Sequence, residues 1–143
     1  MKDLTITLMI ILVATLAACG GQGEEAGSES IIGITWQWNA FEDSAGTDNI
    51  DVPNPENYTL TLNEDGTASI QADCNQVSWT YELEGSQLTF NTLGPSTLAM
   101  CPEDSLDTIY LQRLGETATY VTADGKLFLN LKLDSGNMEF SPQ

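Results

Sequence analysis

The chain has 143 residues, 21 acids, 4 bases, a formal charge of -17 and no histidine. One ordinary domain fits this length. So negative a chain lacks the clustered Lys and Arg that nucleic-acid binding or a polybasic membrane patch requires, and without histidine it lacks the commonest general base, metal ligand and partner of a nucleophilic Ser or Cys. Hydrophobic residues still make up 41% of it, enough for a globular core rather than acidic disorder.

Met1-Lys2-Asp3 is a short polar start, followed by an apolar run from Leu4 to Leu16 broken only by Thr5, Thr7 and Thr15. That run suits the core of a signal peptide and is shorter than the roughly 20 residues of a spanning helix. It ends in Leu16-Ala17-Ala18-Cys19, which resembles the bacterial lipobox. The resemblance implies a signal peptide over 1–18, cleavage before Cys19 and lipidation of its thiol. Several acyl chains, each methylene adding about 0.8 kcal/mol, would hold the protein on a membrane without a spanning helix. Residues 19–30 then read as a lipidated cysteine and a flexible acidic tether, rich in Gly, Ser and Glu and without a large apolar side chain. The folded domain is expected over 31–143.

Within it, apolar residues alternate as strands require. Ile34, Trp36, Trp38 and Ala40 lie two apart on one face. A long polar connection, Glu42 to Asn57, follows. Tyr58, Leu60 and Leu62 alternate with threonines before an Asp65-Gly66 turn. Ala68, Ile70, Ala72 and Cys74 continue the pattern inward on the returning strand. Val77, Trp79, Tyr81 and Leu83 form the next, and Leu88 and Phe90 follow a turn. Pro102 could open a helix with Glu103 and Asp104 in its first turn. Leu106, Ile109, Tyr110 and Leu114 share one face of it, with Gly115 as its stop. Ala118, Tyr120 and Val121 resume strand character. Leu127, Leu129, Leu131 and Leu133 alternate, and the Asp134-Ser135-Gly136 turn leads into Met138 and Phe140. About eight near-sequential strands with one apolar face, and one helix near 102–114, predict a mainly β protein: a small antiparallel meander closing into a barrel.

Three cysteines are one for lipid and two for each other. In an exported setting Cys74 and Cys101 are expected to pair, tying a strand to the start of the helix, and the loop-entropy model gives about 3.5 kcal/mol for that closure. The alternative is two buried free thiols. A redox-active pair has less support, since there is no Cys-x-x-Cys and no base nearby to lower a thiol pKa.

An ordered set of short elements resembles the META domain (HslJ-like) family of bacterial exported proteins and lipoproteins. It comprises Trp36; Tyr58-Thr59-Leu60-Thr61-Leu62; Ala72-Asp73-Cys74-Asn75; Trp79-Thr80-Tyr81, with Trp79 where the family usually has glycine; Leu98-Ala99-Met100-Cys101-Pro102; Leu127-Phe128-Leu129; and Met138-Glu139-Phe140. The resemblance implies a small lipocalin-like barrel with a helix. It also implies an envelope or stress-related role, since some members are linked to antibiotic tolerance, secretion or motility. It implies no catalytic residues.

Candidate chemistry is sparse. The acidic loop from Asp43 to Asp51 could offer oxygens to calcium, but its spacing is not that of an EF-hand, and a solvated loop is the better reading. Asp73-Cys74-Asn75 is the most singular polar cluster, readable as a polar lip at a barrel mouth or as turn chemistry; the latter is favoured. Glu82 and Glu84 share a strand face, about 7 Å apart beside a turn, and read as outer-face charges rather than a glycosidase pair. Lys126 and Lys132 read as solubility charges. Trp36, Trp38, Trp79 and Tyr81 could line a ligand site inside a barrel, although alternating aromatics more often form core.

The expectation is thus a non-enzymatic, membrane-anchored extracytoplasmic lipoprotein, monomeric, with no cofactor, no metal, no catalytic residue and no nucleic-acid partner. Its role would be that of an envelope accessory or stress-related binding protein. Its place is the cell envelope, at the outer membrane in a Gram-negative host, because Gly20 is not the aspartate that commonly marks inner-membrane retention. The alternatives are a lipocalin-like carrier of a small apolar or aromatic ligand and a module that docks an envelope protein through an acidic face.

Overall fold

The structure is a computed structural model that describes residues 30–143. The expected signal peptide, Cys19 and nearly all of the expected tether lie outside the described residues.

The described residues form nine strands: β1 (Thr35–Asp43), β2 (Ile50–Asp51), β3 (Tyr58–Leu62), β4 (Thr67–Ala72), β5 (Asn75–Glu84), β6 (Gln87–Asn91), β7 (Thr117–Ala123), β8 (Lys126–Leu131) and β9 (Gly136–Pro142). One α-helix, α1 (Asp107–Gly115), joins β6 to β7. β1 pairs with β3, the strands from β3 to β9 pair in sequence, and β9 returns to β1, so eight strands close an antiparallel meander while two-residue β2 lies outside against β1. The mainly β barrel with one helix matches the expectation. The β1–β9 pairing removes the free edges that the first and last strands of an open sheet would expose.

The alternating residues do what their period requires. Tyr58, Leu60 and Leu62 of β3, Ala68, Ile70 and Ala72 of β4, and Leu127, Leu129 and Leu131 of β8 all point into one core. Trp36, Trp38, Val77, Trp79, Met138 and Phe140 join them. The seam between β6 and β7 is thin, since their register runs through the single pair Gln87 and Thr119. α1 supplements the packing there, touching β4 and β6 and burying Tyr110 and Leu114. Among the described residues no helix is long and apolar enough to cross a membrane.

Several local expectations are corrected. The helix begins at Asp107, not Pro102. Pro102 opens a turn closed by the Ser105 N–H to the Pro102 carbonyl, and Glu103 and Asp104 stand in solvent. The N–H of Leu106, at the helix N-cap, instead donates to the Tyr58 hydroxyl at 2.9 Å, a tertiary contact invisible to a local pattern. Gly115 is the last helical residue, and Glu116 follows in an ordinary right-handed conformation, so no left-handed glycine stop is used. In β1 the pairing with β9 slips between Trp38 and Ala40, so the bulge turns Phe41 rather than Ala40 into the core. β1 runs on to Asp43, into the segment expected to be connection. Leu133 does not continue the inward run: β8 ends at Leu131, and Leu133 takes a left-handed φ of 59° with its side chain in solvent.

Candidate functional site

The polar cluster around Cys74 is built by a tight hairpin. Ala72 pairs with Asn75, leaving Asp73-Cys74 as the two-residue connection between β4 and β5. Asp73 adopts φ 54°, a left-handed conformation that Asp tolerates better than most residues. Its N–H donates to the Asn57 carbonyl at 2.7 Å, and its carbonyl accepts from the Gln71 amide. This turn shifts the alternation, so Cys74 is exposed, against the inward placement expected, and Asn75 is buried instead.

Cys74 is bonded to Cys101, with Cα atoms 5.6 Å apart. Beside the disulfide, the Asn75 side chain reaches the connection that runs from β6 to α1. Its Oδ1 accepts from the Ala99 N–H at 2.8 Å and from the Thr97 hydroxyl at 3.1 Å. Its Nδ2 donates to the Ala99 carbonyl at 3.1 Å and lies 3.3 Å from Cys101 Sγ. Upstream, the Ser78 N–H donates to the Pro95 carbonyl and the Thr97 N–H to the Gln76 carbonyl, both with β5. Gly94 lies so close to β5 that a Cβ would overlap the Ser78 carbonyl, so only glycine fits. The segment 94–101 is therefore fastened at Pro95, Thr97, Ala99 and Cys101, although every residue from 91 to 100 is exposed. Asn75 was singled out in the sequence as turn support. That it clamps a distant segment had no local signal.

The aromatic candidates sit elsewhere. Trp38 is fully buried, stacked on Tyr110 with ring centroids 5.0 Å apart, and Tyr58 packs edge-on to both. The Trp38 Nε1 donates to the Ala40 carbonyl and the Trp36 Nε1 to the Ile31 carbonyl. Trp79 is buried beside Phe90. Tyr81 is half-buried, and its hydroxyl donates to the Asn63 carbonyl. Three of the four are thus core side chains, two of them with the indole N–H already bonded to backbone, and the fourth braces a turn. Burial, then the nearby charges of Asp65 and Glu64, raises the Tyr81 pKa. Tyr110 is raised well above the ordinary phenol value by burial, and its hydroxyl has no hydrogen-bond partner among the described residues.

Concave surface lies outside the aromatic core. A groove of about 570 Å³ is lined by Thr59, Thr61, Ser69, Gln71, Gln76 and Ser78 together with the 95–97 segment. It offers hydroxyls and amides but no charge and no aromatic face. A smaller one, of about 360 Å³, lies over Glu42, Asp43, Asn130, Asp134 and Asn137.

The acidic loop is organised around its own residues. Asp43 Oδ2 accepts from the Thr47 N–H and hydroxyl and from the Ala45 N–H, and these bonds lower its pKa. Asp48 pairs with Arg113, which also reaches Glu116 and lies 4.4 Å over the Phe41 ring. Among the described residues no group of three acidic, Cys or His side chains converges as a metal site. Glu82 and Glu84 are exposed on the outer face of β5. Lys126 makes a 2.6 Å cross-strand pair with Glu139, and the Lys132 ammonium donates to the Gly115 carbonyl.

The META domain profile matches residues 29–143, the whole barrel. The chain belongs to the META domain family. Solved structures agree on the fold. A protein from Burkholderia xenovorans, determined by NMR, is 24% identical with a TM-score of 0.62, covering 82% of this chain and 87% of its own. A DUF4847 family protein from Bacteroides vulgatus is 14% identical with a TM-score of 0.57, covering 80% and 95% respectively. Among curated proteins none matches. The META domain match spans the barrel and both cysteines of the disulfide.

Proposed function

We propose that this META protein is a non-enzymatic lipoprotein of the cell envelope, held to an extracytoplasmic membrane surface by lipid on Cys19. In a Gram-negative host that surface is the outer membrane. It acts as an accessory or stress-related binding module. The observation that carries the reading is the solvent-exposed Cys74–Cys101 disulfide. Reducing cytosol keeps such thiols apart, so a surface bridge suits an exported protein. The lipobox-like Leu16-Ala17-Ala18-Cys19 supplies the anchor.

The packed interior supports work done at the surface. A carrier of the lipocalin kind needs internal space, and here Trp38, Tyr58, Tyr110 and Phe140 pack against one another there. The test is fractionation. The native chain should sediment with membranes, and Cys19→Ser should move to a soluble or uncleaved precursor fraction. A Cys19→Ser protein processed and membrane-bound like the native chain would overturn the anchor.

A further inference from the structure

Beyond the end of β6, the segment 95–100 runs beside β5, bridged antiparallel at Ser96 and Val77, and its outer side is an unpaired backbone edge. Pro95, Thr97 and Ala99 turn backbone groups toward β5 and Asn75. In an extended chain the intervening residues turn theirs the opposite way, and the backbone groups of Ser96, Leu98 and Met100 have no partner among the described residues. β7 does not cover them, because its register with β6 runs only through Gln87 and Thr119. The same stretch carries Leu98 and Met100, which are 92% and 99% exposed, and Leu93, just before it, is 87% exposed. Large apolar side chains on a segment this firmly fastened mark an interaction surface rather than a loose loop.

Charge says what kind of partner fits. Close along the chain stand Glu103 and Asp104, three and four residues past Met100, and Asp73, which precedes the Cys74 bonded to Cys101; none of them is in an ion pair. All three bases in the described residues are engaged elsewhere: Arg113 with Asp48 and Glu116, Lys126 with Glu139, and Lys132 on the Gly115 carbonyl. We propose that the 95–100 edge receives an extended polypeptide segment of alternating apolar and basic residues, which adds a strand through the backbone of Ser96, Leu98 and Met100. Its apolar side chains would cover Leu98 and Met100, and its bases would meet Asp73, Glu103 and Asp104. An anionic bilayer is the poorer partner for so acidic a rim. The proposal deepens the binding reading above but is independent of the anchor, since Cys19→Ser tests one and peptide binding the other.

The probe is a short fluorescent peptide of alternating valine and lysine, titrated into the full chain and followed by anisotropy. It should bind, and a valine–glutamate peptide should not. The double variant Leu98→Asp with Met100→Asp should weaken binding about tenfold or more, as should raising the salt from low to high ionic strength. N-methylation of alternate peptide amides, which leaves the side chains in place, should abolish it. Both substituted residues are exposed, so circular dichroism should show the variant folded with an unchanged melting profile. Equal binding of the two peptides, binding undiminished in the double variant or after N-methylation, no binding of the valine–lysine peptide, or binding only to phosphatidylglycerol vesicles would each overturn the proposal.

Discussion

Asn75 grips Ala99 with both ends of its amide: Oδ1 accepts the Ala99 N–H at 2.8 Å and Nδ2 donates to the Ala99 carbonyl at 3.1 Å. A side chain on the first residue of β5 thereby imitates a neighbouring strand for a segment 24 residues away. Asn75→Ala should cost about 2 kcal/mol, since it removes a buried partner and leaves backbone groups to water. Asn75→Asp should cost at least as much, because its second oxygen would face the Ala99 carbonyl and the Asp107 carboxylate now 3.5 Å from Nδ2. Urea unfolding checks both; an Asn75→Ala midpoint equal to the native one would remove Asn75 as a clamp.

The disulfide is the second fastening. Reduction should lower stability by about 3.5 kcal/mol in the loop-entropy account, because the bridge closes a loop with a sequence separation of 27. Exposure of Cys74 lets a mild reductant reach the bond without global unfolding. Unfolding with and without reductant, alongside intact mass to confirm two added hydrogens, measures the effect. No change in midpoint would mean that Asn75 and the β5 contacts suffice.

Tyr110 buries a hydroxyl that bonds to nothing among the described residues. Tyr110→Phe keeps the ring stacked on Trp38 and deletes an unsatisfied donor, so it should leave stability unchanged or raise it by about 1 kcal/mol. Tyr110→Ala should cost about 3–5 kcal/mol through the cavity it leaves. Thermal unfolding of the pair separates ring from hydroxyl; a Phe variant as damaged as the Ala variant would show that the hydroxyl has a partner.

The same burial sets the alkaline limit. Tyr110 is held well above the ordinary phenol pKa by burial, and Tyr81 is raised by burial and then by Asp65 and Glu64. A raised folded pKa leaves stability intact below the unfolded value, about 10, and removes it as pH rises toward the folded value, because the unfolded chain ionises first. The protein should therefore lose stability above about pH 10, and Tyr110→Phe should lose less. Phenolate absorbance during alkaline titration checks this: Tyr110 should ionise only with unfolding.

Much of the barrel was legible because its signal is local. Alternation at Tyr58, Leu60 and Leu62, and at Leu127, Leu129 and Leu131, places side chains by period alone. The misplaced residues are those where a tertiary contact or a turn resets the period. The bulge at Ala40 exchanges it for Phe41, the Asp73-Cys74 turn exchanges Cys74 for Asn75, and Tyr58 moves the helix start past Ser105. The aromatic stripe gave residue type but could not say whether the space between Trp36, Trp38 and Trp79 is empty. Tyr110, delivered by a helix more than 30 positions downstream of Trp79, packs against Trp38 there. The fastened segment was the least legible, since its hold depends on Asn75 and β5 rather than on its own sequence.

Amide hydrogen exchange across 95–100, resolved by residue in the full chain, tests the central claim most directly. Clamping by β5 and Asn75 predicts protection at Thr97 and Ala99 and fast exchange at Ser96, Leu98 and Met100. Uniformly fast exchange through the segment would contradict a braced edge, and uniform protection would contradict an open one.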